Sequence, residues 1–126
     1  MTAKHYIERR ESPRFEIEDN VYLTFRPNFD RIGRVKDIST GGAAFEYVQY
    51  SALANITEVE VDIFSQSKEF HWPKIPCKVV YDRGVEKYAS FEGIETRRCG
   101  LKFTKLSERQ LSELNYFLGN LPEVQV

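Results

Sequence analysis

Cysteine is scarce in this chain. Cys77 and Cys99 are the only two, too few and too widely spaced for a disulfide framework or a zinc site, and both read as small buried apolar residues in a reducing compartment. The 2 histidines, His5 and His71, stand in no metal-binding pattern, and no Gly-x-Ser-x-Gly elbow is present. No metal, no cofactor and no enzymatic activity are therefore expected. Positive charge is not in excess either. Against 18 Lys and Arg stand 19 Asp and Glu, a net charge of −1. That balance argues against sequence-independent capture of a nucleic-acid polymer and makes any anion site local. Long apolar runs are also missing. Nothing approaches the ~20 residues of a membrane span, and the opening Met1-Thr2-Ala3-Lys4-His5-Tyr6 lacks the apolar stretch of a signal peptide, so a cytoplasmic protein is expected.

What remains, 126 residues with 41% apolar and 29% charged, suits one small globular domain with a well-solvated surface. Its pattern changes twice. Residues 1–19 are densely charged, and Pro13 keeps Ser12 out of the helical region, so this stretch reads as an extended, flexible arm. Residues 20–106 show a period of two. Val21, Leu23 and Phe25 alternate with Tyr22, Thr24 and Arg26. Further strands are expected over Arg31–Ser39 (apolar members Ile32, Val35 and Ile38), Ala43–Tyr47, Glu58–Ile63 with an acidic outer face, Ile75–Tyr81 bounded by Pro73, Pro76 and Gly84, and Cys99–Phe103. Val85–Arg98 extends the last hairpin in a way the sequence leaves open. Phe25, Phe45, Phe64 and Phe103 read as core. Over residues 107–121 the period becomes helical. Leu111, Leu114, Phe117, Leu118 and Leu121 form one stripe, Ser107-Glu108-Arg109-Gln110 fits a capping box, and Gly119 before Pro122 suits a stop. Many short antiparallel strands followed by one late helix point to an all-β domain, a small barrel carrying a C-terminal helix.

Two motifs carry chemistry. Arg10-x-x-x-Arg14, with Arg9 beside it, offers planar forks of donors that match phosphate or the edge of guanine. An extended pentapeptide spans about 13 Å, enough to clasp opposite parts of a bulky ligand. Asp37-x-Ser39-x-Gly41-Gly42 offers a carboxylate that can accept from two adjacent N–H donors and a hydroxyl that, by strand alternation, shares its face. It also offers two glycines that permit positive φ and close approach of a ligand or of the returning chain. Taken singly, the first motif also fits a solvated charged tail and the second plain turn chemistry.

Together and in this order, with Arg98-Cys99-Gly100-Leu101-Lys102-Phe103 as a late strand and a short helix after it, the motifs closely resemble the PilZ domain over residues 8–120. The resemblance implies a six-stranded antiparallel β-barrel that binds cyclic di-GMP, a bacterial second messenger, in signal transduction. Carried over position by position, Arg10 and Arg14 would contact phosphate and guanine, Asp37 and Ser39 would hydrogen-bond a guanine, and Gly41-Gly42 would shape the turn. Arg9, just before the first motif arginine, looks like the form that takes an intercalated pair of ligands; one or two ligands per chain stays open. The implied role is a cyclic di-GMP receptor whose arginine arm orders over the ligand and presents a new surface to an unidentified effector protein. A protein-interaction adaptor that binds no nucleotide is the alternative.

Overall fold

In the computed structural model, residues 21–50, 53–65, 70–85 and 94–119 are described in full and residues 15–16 by their backbone. The strands are β1 (Phe15–Glu16), β2 (Val21–Phe25), β3 (Ile32–Ile38), β4 (Gly42–Gln49), β5 (Glu58–Ser65), β6 (Phe70–Gly84) and β7 (Glu95–Phe103), followed by one helix, α1 (Glu108–Leu118). All pairings are antiparallel. The order β3-β2-β5-β6-β7-β4 closes on itself through the β3–β4 ladder, giving a six-stranded barrel. Closure leaves no long strand edge open.

The two-residue β1 is added to this wall. It pairs Phe15 with Ile38 and Glu16 with Asp37. Because β4 occupies the other edge of β3 over Gly33–Ile38, β1 takes the edge that β2 holds only at Ile32–Arg34.

Alternation fills the interior as expected, with Val21, Leu23 and Phe25 from β2, Phe45 and Tyr47 from β4, and Cys99, Leu101 and Phe103 from β7 all buried. Both cysteines are buried and free. Among the described residues, three bulges break the alternation. One extra residue, Lys36, sits in β3 between the pairs Val35–Phe45 and Asp37–Ala44. It lets Val35 and Ile38 both point inward although they are three apart, and it puts Ile32, expected in the same apolar set, outside at 56% exposure. Val80 is the extra residue in β6 between Val79–Leu101 and Tyr81–Gly100. In the third, Pro73 and Lys74 oppose Asp62 alone.

That third bulge explains why β6 is longer than expected. It takes in Pro73, which looked like its boundary, because a bulge tolerates a residue that cannot donate to the ladder, and the strand runs on through Pro76, which pairs with Glu60 beyond the bulge. Lys74 takes positive φ, 55°, and its freed N–H donates to Asp62 Oδ1 at 3.0 Å. Asp62 is consequently buried rather than part of an acidic outer face, and Arg26 binds both its carboxylate oxygens at 2.7 and 3.0 Å. Phe64 also departs from the expected core. It stands half-buried on the outer face against Tyr22, ring centroids 5.9 Å apart.

The capping box forms as read. Ser107 Oγ accepts from Gln110 N, and Gln110 Oε1 accepts from Ser107 N at 2.9 Å. Leu114, Phe117 and Leu118 are buried, with Phe117 stacked on Phe70 at 4.5 Å. Leu111, expected in the stripe, is exposed; the first turn is held by Gln110 Nε2 donating to the Lys74 carbonyl at 3.2 Å. Gly119 ends the helix with right-handed φ of −65° rather than a left-handed stop. Leu121, the arm residues 1–14 and the hairpin segment 86–93 lie outside the described residues.

Candidate functional site

The Lys36 and Val80 bulges together create one cross-strand row on the outer wall. The register reads Glu16–Asp37 between β1 and β3, Asp37–Ala44 between β3 and β4, Ala44–Gly100 between β4 and β7, and Gly100–Tyr81 between β7 and β6. Asp37 and Tyr81 are thus brought to the same face with two small residues between them. Tyr81 lies over the gap. A Cβ on Gly100 would fall 2.2 Å from the Tyr81 ring, so a bare backbone at this position lets the ring cross β7.

The next row along the barrel is charged: Arg34, Glu46, Arg98 and Arg83 in register on β3, β4, β7 and β6. Arg98 ties the two rows together. Its Nη2 donates to Asp37 Oδ2 at 3.0 Å, its Nε to Tyr81 Oη at 3.3 Å and its Nη1 to Glu46 Oε2 at 3.4 Å. Burial lowers the pKa of this guanidinium, but the Tyr81 oxygen and the two carboxylates outweigh that and hold it above its ordinary value. Arg83 places its guanidinium over the Tyr81 ring, 4.7 Å from the centroid.

Ser39, Gly41 and Gly42 form the turn beside this surface. Ser39 lies one residue past β3 and is buried. Its Oγ accepts from Gly41 N at 3.1 Å and its N–H donates to the Gly42 carbonyl at 2.8 Å. The hydroxyl therefore serves the turn, as the plainer reading had it, and keeps its own proton to donate. The turn is also stitched to β7 by Phe103 N donating to the Gly41 carbonyl at 2.9 Å. Neither glycine takes positive φ, contrary to the conformational reason first given for them. Gly42 is needed for close approach instead, since a Cβ there would lie 2.1 Å from the Leu101 carbonyl oxygen. At Gly41 a Cβ would meet only Ser39 Oγ, at 3.8 Å.

Of the expected site residues, the fold gathers Asp37, Ser39, Gly41 and Gly42 at one corner. Arg9, Arg10 and Arg14 lie outside the described residues, although Arg14 directly precedes Phe15, which pairs with Ile38 next to Asp37. Arg98, Tyr81 and Arg83 were missed. Arg98 was visible as the outward member of a strand whose Cys99 and Leu101 point in. Tyr81 was not, because the bulge that turns it outward is set by β7. A groove of about 740 Å³ elsewhere is lined by Arg26 and Pro27 just after β2, by Glu58 and Glu60 of β5 and by Pro76 and Cys77 of β6; its one cation, Arg26, is already bound to Asp62, and the two glutamates make it a poor setting for an anion. Among the described residues, no cluster of His, Cys, Asp or Glu could hold a metal, and no helix is long and apolar enough to cross a membrane.

Comparison with known structures finds the same fold. The PilZ domain of YcgR from Escherichia coli, solved with cyclic di-GMP, superposes with a TM-score of 0.57 at 18% identity, covering 88% of this chain and 92% of that one. A structure of YcgR in complex with cyclic di-GMP gives 0.54 at 15% identity, covering 88% of this chain and 46% of that one. PlzA of Borreliella burgdorferi, also in complex with cyclic di-GMP, gives 0.53 at 12% identity over 98% of this chain and 58% of that one. The chain thus spans about half the length of these last two. A comparison with curated protein sequences returns no match. The family model for the PilZ domain matches residues 8–120, nearly the whole chain; with the closed six-stranded barrel and its single C-terminal helix, the chain belongs to the PilZ domain family.

Proposed function

We propose that this domain is a receptor for cyclic di-GMP and that the corner formed by Asp37, the Ser39–Gly42 turn and Tyr81 is where one guanine sits. The observation that carries this reading is the position of β1: Phe15 and Glu16 pair with Ile38 and Asp37, so the Arg-x-x-x-Arg segment is attached directly beside the carboxylate. Asp37 accepts from the N1–H and N2–H donors of guanine, and Ser39 donates its remaining proton. Arg9, Arg10 and Arg14 supply the forked donors for phosphate and for the second base, and Arg83 adds charge at the Tyr81 end. Membership of the PilZ family and likeness to barrels solved with this ligand support the same choice.

The mechanism follows from the size of the ligand. Ordering backbone costs about 1–2 kcal/mol per residue, and a charge-assisted hydrogen bond returns about 1.5–3 kcal/mol. Only a ligand that engages several arm residues at once offsets that cost, and a cyclic dinucleotide with two phosphates and two bases does so. The arm closes over the ligand, and the surface so formed engages an effector protein. Arg9, stacking on a second base, favours an intercalated pair.

Calorimetric titration with cyclic di-GMP tests the reading. Arg10→Ala and Arg14→Ala each weaken binding at least about tenfold without lowering the unfolding midpoint, and the wild type takes up two ligands per chain. Unchanged affinity in both variants would refute the arm's role, one ligand per chain would refute the pair, and no heat from the folded wild type at millimolar ligand would end the assignment.

A further inference from the structure

Arg98 hydrogen-bonds to both Asp37 and Tyr81, which the outer row brings to one face. Three strands converge on it: β3 through Asp37, β4 through Glu46 and β6 through Tyr81. Its side chain is 27% exposed and that of Asp37 22%, so the ion pair is sheltered from water without being cut off from a ligand on the surface. The torsion that sets the plane of an aspartate carboxylate is broad. A carboxylate that must accept two adjacent N–H donors of a base needs that plane fixed. A guanidinium donating to Oδ2 while anchored at its other nitrogens fixes it, and a carboxylate has about four acceptor sites over its two oxygens.

We infer that Arg98 is a positioning residue for guanine recognition: it holds the Asp37 carboxylate and the Tyr81 ring in the geometry that distinguishes guanine from a base lacking the 2-amino group. The inference rests on the receptor reading above. Arg98 acts through Asp37 rather than by neutralising phosphate, because its Nε, Nη1 and Nη2 are all directed at protein oxygens. Arg83, whose guanidinium lies over the Tyr81 ring and makes no ion pair among the described residues, is a cation available to the ligand.

The test compares cyclic di-GMP with cyclic di-IMP, its inosine analogue without the 2-amino donor, on wild type, Arg98→Gln, Arg98→Lys and Asp37→Asn. Arg98→Gln weakens cyclic di-GMP binding at least about tenfold and cuts the preference over cyclic di-IMP by a similar factor. Arg98→Lys, which keeps the charge but lacks the fork, recovers part of both. Combining Arg98→Gln with Asp37→Asn costs little beyond Asp37→Asn alone. Equal weakening toward both ligands, or full additivity with Asp37→Asn, would overturn the inference. Thermal unfolding of each variant confirms that it is folded. Should Arg98→Gln fail to fold, the preference of Arg98→Lys decides alone: intermediate supports the inference and unchanged defeats it. A wild type that ignores cyclic di-GMP defeats the receptor reading itself, whereas a wild type that binds it beside an Arg98→Gln variant with intact preference defeats only the role of Arg98.

Discussion

Gly41 and Gly42 are neighbours of one residue type with opposite structural demands. A methyl group at Gly42 would strike the Leu101 carbonyl at 2.1 Å, and backbone cannot step aside as a side chain can. At Gly41 the nearest atom is 3.8 Å away. Gly42→Ala should therefore cost about 3 kcal/mol of stability, the upper end for overpacking, and Gly41→Ala no more than about 0.5 kcal/mol. Urea unfolding of the two variants checks both, and equal losses would contradict the assignment of close approach to Gly42. The sequence made the pair legible as a turn, but not which glycine was indispensable, because that depends on a strand nearly sixty residues later. The outward position of Arg98 could be read, but its role was hidden in the same way. It stood in a run that pointed to the family, yet its three partners come from three other strands.

Among the elements, the strands were legible and their irregularities were not. Period-two alternation located all six barrel strands, since each buries one face. A bulge, however, is a mismatch between two strands, and neither sequence alone declares it. The Lys36 and Val80 insertions escaped notice for that reason, and with them the outward placement of Tyr81. Proline misled in the same way at β6, where the strand passes through Pro73 and Pro76. The helix was the most legible element, because its cap is local: Ser107 and Gln110 need only each other. Ser107→Ala should cost about 1 kcal/mol, and Phe117→Ala, which removes the ring stacked on Phe70 and leaves a cavity, about 3–4 kcal/mol. Denaturant unfolding gives both numbers; a Phe117→Ala loss as small as that of the cap variant would mean that the helix contributes little to the core.

The barrel as a whole encloses two thiols, and its interior dictates when they ionise. Burial pushes Cys77 and Cys99 up to about 12 each, and at Cys99 the Asp82 carboxylate adds to the effect while Arg31 and Arg97 oppose it. In the unfolded chain a thiol ionises near 8.5. Above about pH 9 the unfolded state thus sheds protons that the folded state retains, and stability falls as pH rises through the window up to 12, by at most about 1.4 kcal/mol per pH unit for each thiol. Comparing unfolding free energies at pH 8 and pH 10 should show a smaller drop for Cys99→Ala than for wild type, while tyrosines and lysines common to both cancel. Identical drops would place the thiol's ionisation elsewhere. The closed architecture itself was readable from strand number and the late helix. The attachment of β1 was not, since two residues carry no period. Yet in the proposed receptor it is β1 that joins the arginine motif to the barrel wall. Phe15 is fixed to the wall next to Asp37, so in the proposed site a segment joined to it has an effective concentration of about millimolar or above. A detached peptide bearing the same arginines would have to be supplied at comparable strength to restore what the peptide bond to Phe15 provides without any added partner.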